Sequence, residues 1–245
     1  MEHRLMRSLS VDCVIFAFDM EQLKVLLVER EMKSPDDKRV IFTDLTLTGN
    51  HIYENEDLDS AAARIVKDLT GLENLVLEQF YAFGALDRLE RPNDQMWHKQ
   101  FGGVFSDRVV SVGYLSLLPS IDIKIKDTYR HAAWHAVKGL KGLAFDHQSI
   151  LQKAIEHLRY RLKYEPIGFE LLPEKFTLSQ MQKLYGSIFG TEFDKRNFRK
   201  KVSQMSYVVP LNEKQTGVAH KPAQLFMFSR DVYEKTRKER FDFFV

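Results

Sequence analysis

The stretch GNHIYENEDLDSAAARIVKDLTGL, residues 49–72, reads as a loop that enters a helix. Asp57 or Asp59 can accept from the unpaired N–H groups of a first turn, and Gly71 can adopt the left-handed turn that ends it. Leu58, Ala61, Ala62, Ile65 and Leu69 recur at helical spacing, so one face of this helix must pack on something. That something is written in β-rich runs on either side. Residues 11–18 and 24–29 flank a short polar turn and predict a hairpin, and 31–39 is charged, contains Pro35 and predicts a loop. A short strand at 45–48 precedes the helix; 75–83, 109–118 and 132–137 (with Trp134) follow it. Strands before and after one capped helix predict an α+β sandwich. Between two of these strands, 85–108 is too long for a hairpin loop. Met96, Trp97, Phe101, Val104 and Phe105 make it apolar enough to serve as a lid, a dimer contact or a cover for its own core.

At 245 residues, with 44% hydrophobic and 29% charged residues, the chain has room for a sizeable core in one or two domains. A single cysteine, Cys13, lies in an apolar run; it excludes an internal disulfide and fits a reducing compartment, so a cytoplasmic location is expected. No apolar run has the length of a membrane span, so no membrane partner is expected. His131 and His135 sit in a predicted strand with no carboxylate or thiol near in sequence, so neither a metal nor another cofactor is expected.

Residues 146–164 form a helix by pattern, with Asp146 as cap and a stripe of Ile150, Leu151, Ala154, Ile155, Leu158 and Leu162. The following Glu165-Pro166 stops it, which places a domain boundary near Tyr164 and gives domains 1–164 and 165–245. From 165 on, fourteen Lys/Arg face ten Asp/Glu, a net of about +4, while the chain as a whole carries +2. In this second module Thr177 and Gln180 make a capping box for a helix that buries Leu178, Met181, Leu184, Tyr185 and Ile188. After a short link, 194–205 reads as a second helix, capped by Asp194, with Phe198, Val202 and Met205 inward. Its outer face carries Lys195, Arg196, Asn197, Arg199, Lys200 and Lys201. Two strands, 207–211 and 224–229, flank a polar loop with Lys214, His220 and Lys221. Helix, turn, basic helix and β-hairpin predict a winged helix-turn-helix on double-stranded DNA. Arg196, Asn197 and Lys200 are the candidates for base contact. Lys195, Arg199, Lys201, Lys214 and Lys221 are the candidates for phosphate, with Thr177 at the helix entry.

The first stretch also resembles the Nudix box, G-x5-E-x7-R-E-U-x-E-E-x-G-U, through Glu56, Arg64, Val66, Gly71 and Leu72. The chain departs from it at the box glycine (Asn50), at the glutamate after the arginine (Ile65) and at the closing Glu-Glu pair (Asp68-Leu69). Those glutamates hold Mg2+ or Mn2+ against a diphosphate in Nudix enzymes, and Ile65 and Leu69 offer no oxygen. The resemblance therefore implies a Nudix-like α/β/α sandwich that is not an enzyme, with an atypical pyrophosphohydrolase as the rival reading.

Taken with Glu165-Pro166-Ile167-Gly168-Phe169-Glu170-Leu171-Leu172-Pro173, the basic helix, and the runs 83–88, 108–112 and 143–147, the chain resembles the Nudix-related transcriptional regulators over about 11–229. The resemblance implies a homodimeric repressor whose Nudix-like half senses a small effector and whose winged helix grips a palindromic operator. Its C-terminal part looks closest to arabinose-responsive members, which implies control of pentose utilisation; the alternative effector in the family is an ADP-ribose-type nucleotide. Polar chemistry near the former substrate cleft nominates Arg30, Asn50, His51, Asp87, Arg88, Arg108 and Tyr114 as effector ligands.

Overall fold

The computed structural model describes residues 4–100, 108–125, 131–217 and 221–236. Phe101, Val104, Phe105 and His220, picked out above, lie outside the described residues. The chain divides into two compact units, one drawn from 1–16, 24–117 and 122–155, the other from 17–23, 118–121 and 156–245.

The first unit is built on a seven-stranded sheet. Strands β1 (Leu5–Phe18), β2 (Leu23–Lys33), β3 (Val40–Thr46), β5 (Glu78–Phe83) and β6 (Val110–Leu118) follow the order β3-β2-β1-β6-β5. In addition β4 (Thr48–Tyr53) pairs with β1, and β7 (Ala133–Ala136) pairs with β2. Long strands serve two partners: Lys24 to Leu27 of β2 pair with β7, and Val28 to Lys33 pair with β3. Residues 49–53, read above as loop, are strand, because Thr48 to His51 continue the antiparallel register on Cys13 to Ser10. Likewise β2 runs on to Lys33 and β3 begins at Val40, which shortens the expected loop between them.

Helix α1 (Leu58–Thr70) is capped by Asp57, whose carboxylate accepts from Ser60 N at 2.8 Å, and it ends on Gly71 at φ 74°. It buries Ala61, Ala62, Ile65 and Leu69 of the stripe expected from spacing, and Val66 besides, while Leu58 is only half-buried. Asp59 is not the cap: it accepts from Tyr114 Oη of β6 at 2.5 Å. Ser111, three residues earlier on β6, points the other way, since side chains alternate along a strand. It meets Asp12 on the face opposite α1. The first turn of helix α3 (His147–Tyr164) meets that same face through His147 and Asp12, which makes the unit a sandwich. Inside the expected long loop lies a further helix, α2 (Pro92–Gln100), opened by a proline at a position where its missing N–H is harmless.

In the second unit, the last turns of α3 are held by Arg159 Nε donating to Ile188 O at 2.6 Å. This explains why the units part between Ile155 and Glu156, ahead of the helix end at Tyr164. A 3-10 turn (Ile167–Leu171) follows; a Cβ on its Gly168 would stand 2.8 Å from Leu162 Cδ2, so a larger residue there would have to displace that buried leucine. Next come α4 (Leu178–Phe189), α5 (Lys195–Val202), the antiparallel pair β8 (Val208–Lys214) and β9 (Gln224–Phe228), and α6 (Arg230–Thr236). Phe176 exchanges two backbone hydrogen bonds with Phe226, 2.9 and 2.8 Å, and so adds a third edge to the hairpin. Leu171, Phe176, Met181, Leu184, Tyr185, Ile188, Phe198 and Val202 form the core. Helix α5 ends at Val202 rather than at 205, and Met205 is only half-buried.

Candidate functional site

At the box-like stretch, the two positions where carboxylates would be needed are core. Ile65 and Leu69 are 1% and 2% exposed. The remaining glutamate, Glu56, is held on both oxygens by Arg64 (Nε 2.9 Å, Nη2 2.5 Å) and accepts from Tyr53 N at 2.8 Å. Arg64 lies over the Tyr53 ring at 4.0 Å and reaches Asp68 at 3.6 Å. This arrangement braces the loop into α1. It leaves no cluster of oxygens for a divalent ion, and among the described residues no group of three or more His, Cys, Asp or Glu side chains is placed to hold a metal.

On the other face, polar contacts converge on a five-residue strap, 143–147. Leu143 O accepts from Arg91 Nη1, and Ala144 N donates to Leu45 O at 2.8 Å. Phe145 N donates to Asp94 Oδ2 at 3.1 Å. Asp146 takes a forked bond from Arg88 (Nε 2.6 Å, Nη2 2.8 Å), and Arg88 Nη1 donates to Val109 O at 3.1 Å. The Asp146 carboxylate is therefore not the α3 cap expected from sequence; its backbone carbonyl takes the Ser149 and Ile150 N–H groups. His147 Nδ1 accepts from Leu47 N at 2.9 Å, so the proton sits on Nε2 and faces Asp12 Oδ1 at 3.2 Å. Phe145 has φ 52°, a left-handed conformation that costs a bulky side chain on the order of 1–3 kcal/mol.

Asp12, 5% exposed, is the electrostatic centre of this face. Burial by itself would push its carboxyl up; the interaction with His147, the Arg88 charge and the Ser111 hydroxyl outweigh burial and hold it at about 2, below the ordinary 3.8. A carboxyl depressed in the folded state stabilises fully above its unfolded value and loses that contribution as pH falls through the folded one. The contribution is about 2 kcal/mol, complete above roughly pH 5 and lost toward pH 2. Urea midpoints measured from pH 6 down to pH 2 are expected to fall accordingly, and Asp12→Asn is expected to flatten that fall.

Beside the strap, Arg30 is 1% exposed. It bonds Asp44 (Nε 2.7 Å, Nη2 2.5 Å) and Asp94 (Nη2 2.7 Å), while its guanidinium stacks 4.3 Å from the Phe145 ring, with Phe42 and Trp97 each at 5.3 Å. Its Nη1 is buried without a hydrogen-bond partner among the described residues, an open donor where a ligand oxygen or a water would be stabilised.

The seven residues nominated as effector ligands are thus not one cluster. Arg30 and Arg88 flank the strap, and Tyr114 lies on the α1 side, its phenol pushed up by burial and by Asp59. Asn50 and His51 are half-buried on β4, with Asn50 Oδ1 accepting from His51 N and His51 Nδ1 against Met6 O. Asp87 and Arg108 are exposed. Sequence reading missed Asp12, Asp44, Asp94 and Phe145. Cys13 is fully buried and its thiol is pushed up, mainly by burial, which disfavours the thiolate a nucleophile needs.

In the second unit Thr177 is 3% exposed, and its hydroxyl accepts from Gln180 N at 3.2 Å while Gln180 Oε1 accepts from Thr177 N at 2.7 Å. Thr177, a candidate DNA contact at the helix entry, is thus a buried helix cap. Asp194 caps α5 by accepting from Asn197 N at 2.9 Å. Phe198 and Val202 then turn inward, which leaves Lys195, Arg196, Asn197, Arg199 and Lys200 exposed and Lys201 half-buried. Lys214 closes β8, and Lys214 and Lys221 are exposed on the wing. No helix among the described residues is long and apolar enough to cross a membrane.

Comparison with known proteins places both units. The family described as NrtR DNA-binding winged helix domain matches residues 168–228. The ADPR responsive transcriptional repressor NtrR of Acinetobacter baylyi (strain ATCC 33305 / BD413 / ADP1) is 28% identical over 233 residues, 92% of this chain and 84% of that protein. The crystal structure of Shewanella oneidensis NrtR complexed with a 27mer DNA is similar at a TM-score of 0.65 and 25% identity, over 95% of this chain and 97% of that one. A MutT/nudix family protein from Enterococcus faecalis shares the fold at a TM-score of 0.63 and 22% identity, over 94% and 89%. With a Nudix-like domain followed by an NrtR-type winged helix domain, the chain matches the Nudix-related transcriptional regulators.

Proposed function

We propose that this chain is a DNA-binding transcriptional repressor whose Nudix-like unit senses ADP-ribose and does not hydrolyse it. The observation that carries the DNA half is the cationic face of α5, exposed on a helix-turn-helix core next to a wing. A relative of like architecture has been solved on a DNA duplex, which supports the same role here. ADP-ribose takes precedence over a pentose sugar because the Acinetobacter relative is named as ADPR responsive. The buried Arg30 with an open donor and its ring of Phe42, Trp97 and Phe145 suits a ligand with both anionic and aromatic parts. Ile65 and Leu69 in the core and Glu56 bound by Arg64 support the absence of turnover. Arg30 is the proposed ligand contact. A homodimer on a palindromic operator remains part of the proposal, since two half-sites need two recognition helices.

The test is DNA binding by fluorescence anisotropy on promoter fragments from the chain's own gene neighbourhood, titrated with ADP-ribose and, separately, with arabinose. Affinity that shifts with ADP-ribose alone is the expected result; a shift with arabinose alone would restore the sugar reading. On such a fragment Arg196→Ala is expected to lower sequence discrimination by about 1–3 kcal/mol, while Lys195→Ala weakens all duplexes alike and reduces the salt slope by about one.

A further inference from the structure

We propose that residues 143–147 are a sprung strap that couples the Arg30 side of the first unit to the first turn of α3. This regulatory inference rests on the reading of the chain as an effector-responsive regulator. The strap is held from α2: Asp94, fully buried, accepts from the strained Phe145 N–H with one oxygen and from Arg30 with the other. A second tie from the same region is Arg91 on Leu143 O. Beyond Phe145 the strap becomes the start of α3: the Asp146 carbonyl takes the Ser149 and Ile150 N–H groups, and His147 docks on Asp12 and Leu47. Phe145 keeps its left-handed backbone only while Asp94 holds it, because a phenylalanine released from such a contact relaxes to negative φ. An anionic effector that bonds the open Arg30 Nη1 draws the guanidinium toward itself and weakens its Nη2 bond to Asp94. Loss of that pairing frees Asp94, lets Phe145 relax and re-sets the residues from which α3 is nucleated.

The test is a pair of substitutions read by hydrogen exchange on the full chain without effector or DNA. Asp94→Ala is expected to speed exchange of the 145–151 amides by about tenfold. Phe145→Gly removes the strain, since glycine accepts positive φ freely, so adding Asp94→Ala on top of it is expected to change those amides by less than about threefold. Equal acceleration in both backgrounds, or none in either, overturns the spring. A thermal melt of each variant separates local from global opening. In a second arm, ADP-ribose is expected to alter DNA affinity of the wild-type chain by roughly five- to a hundredfold and that of Phe145→Gly by much less. A wild-type chain indifferent to ADP-ribose would sink the functional reading, while the exchange data would still decide the strap.

Discussion

Gly49→Ala is expected to be among the most damaging single-methyl additions in this chain. Gly49 pairs with Asp12 across β4 and β1, and a Cβ there would stand 1.9 Å from Asp12 Oδ1 and 2.9 Å from its Cγ. The backbone offers no escape, because Val11 O is 3.0 Å away on the same strand. The carboxylate must therefore leave the position in which it meets His147, Arg88 and Ser111. A buried charge separated from its partners costs about 3–5 kcal/mol, more than the usual penalty for overpacking. Urea denaturation of Gly49→Ala should show that loss. A double-mutant cycle assigns it: in an Asp12→Ala background the alanine at 49 should cost far less, since the atoms it strikes are gone. Equal costs in both backgrounds would mean that the clash lies with the strand backbone instead.

Local signals in the sequence give α1 almost residue for residue, because cap, apolar stripe and terminal glycine are properties of one short stretch. The same holds for α4 with its Thr177-Gln180 box and for the start of α5. What could not be read locally is the other side of each charge. Arg30 and Arg88 stand out in the sequence as polar residues near a cleft, yet their partners Asp44, Asp94, Asp12 and Asp146 lie between 14 and 76 positions away, and spacing carries no trace of such pairs. Asp146 shows the cost of local reasoning most plainly: its place before a helix suggests a cap, but a buried guanidinium outcompetes exposed N–H groups for the carboxylate. The 49–53 stretch misled for a related reason. Its glycine and asparagine suggest a loop, and only the pairing with β1 makes it strand. Helix α2 escaped notice because its pattern is weakly amphipathic: among its described residues the buried one is a carboxylate, Asp94, rather than an apolar side chain.

Arg88→Met is the second large loss expected, and it probes the same face from the opposite charge. Arg88 is 7% exposed and places all three of its guanidinium nitrogens: Nε and Nη2 on Asp146, Nη1 on Val109 O, with Asp12 3.8 Å from Nη2. Methionine fills much of the volume but leaves two carboxylates, Asp12 and Asp146, without the cation they share. Removing one partner of a buried ion pair costs about 3–5 kcal/mol, and here two anions lose the same cation. Loss of a nearby positive charge also raises the Asp12 carboxyl, so the variant should tolerate acid relatively better than neutral pH: its deficit against wild type shrinks as pH falls toward the value at which Asp12 is protonated. Arg88→Lys separates charge from geometry. A lysine restores one positive charge but cannot make a fork to Asp146 and reach Val109 O at once, so it should recover only part of the lost stability. Full recovery by lysine would show that charge alone holds the strap to the sheet, and the forked geometry would then have no role in positioning α3.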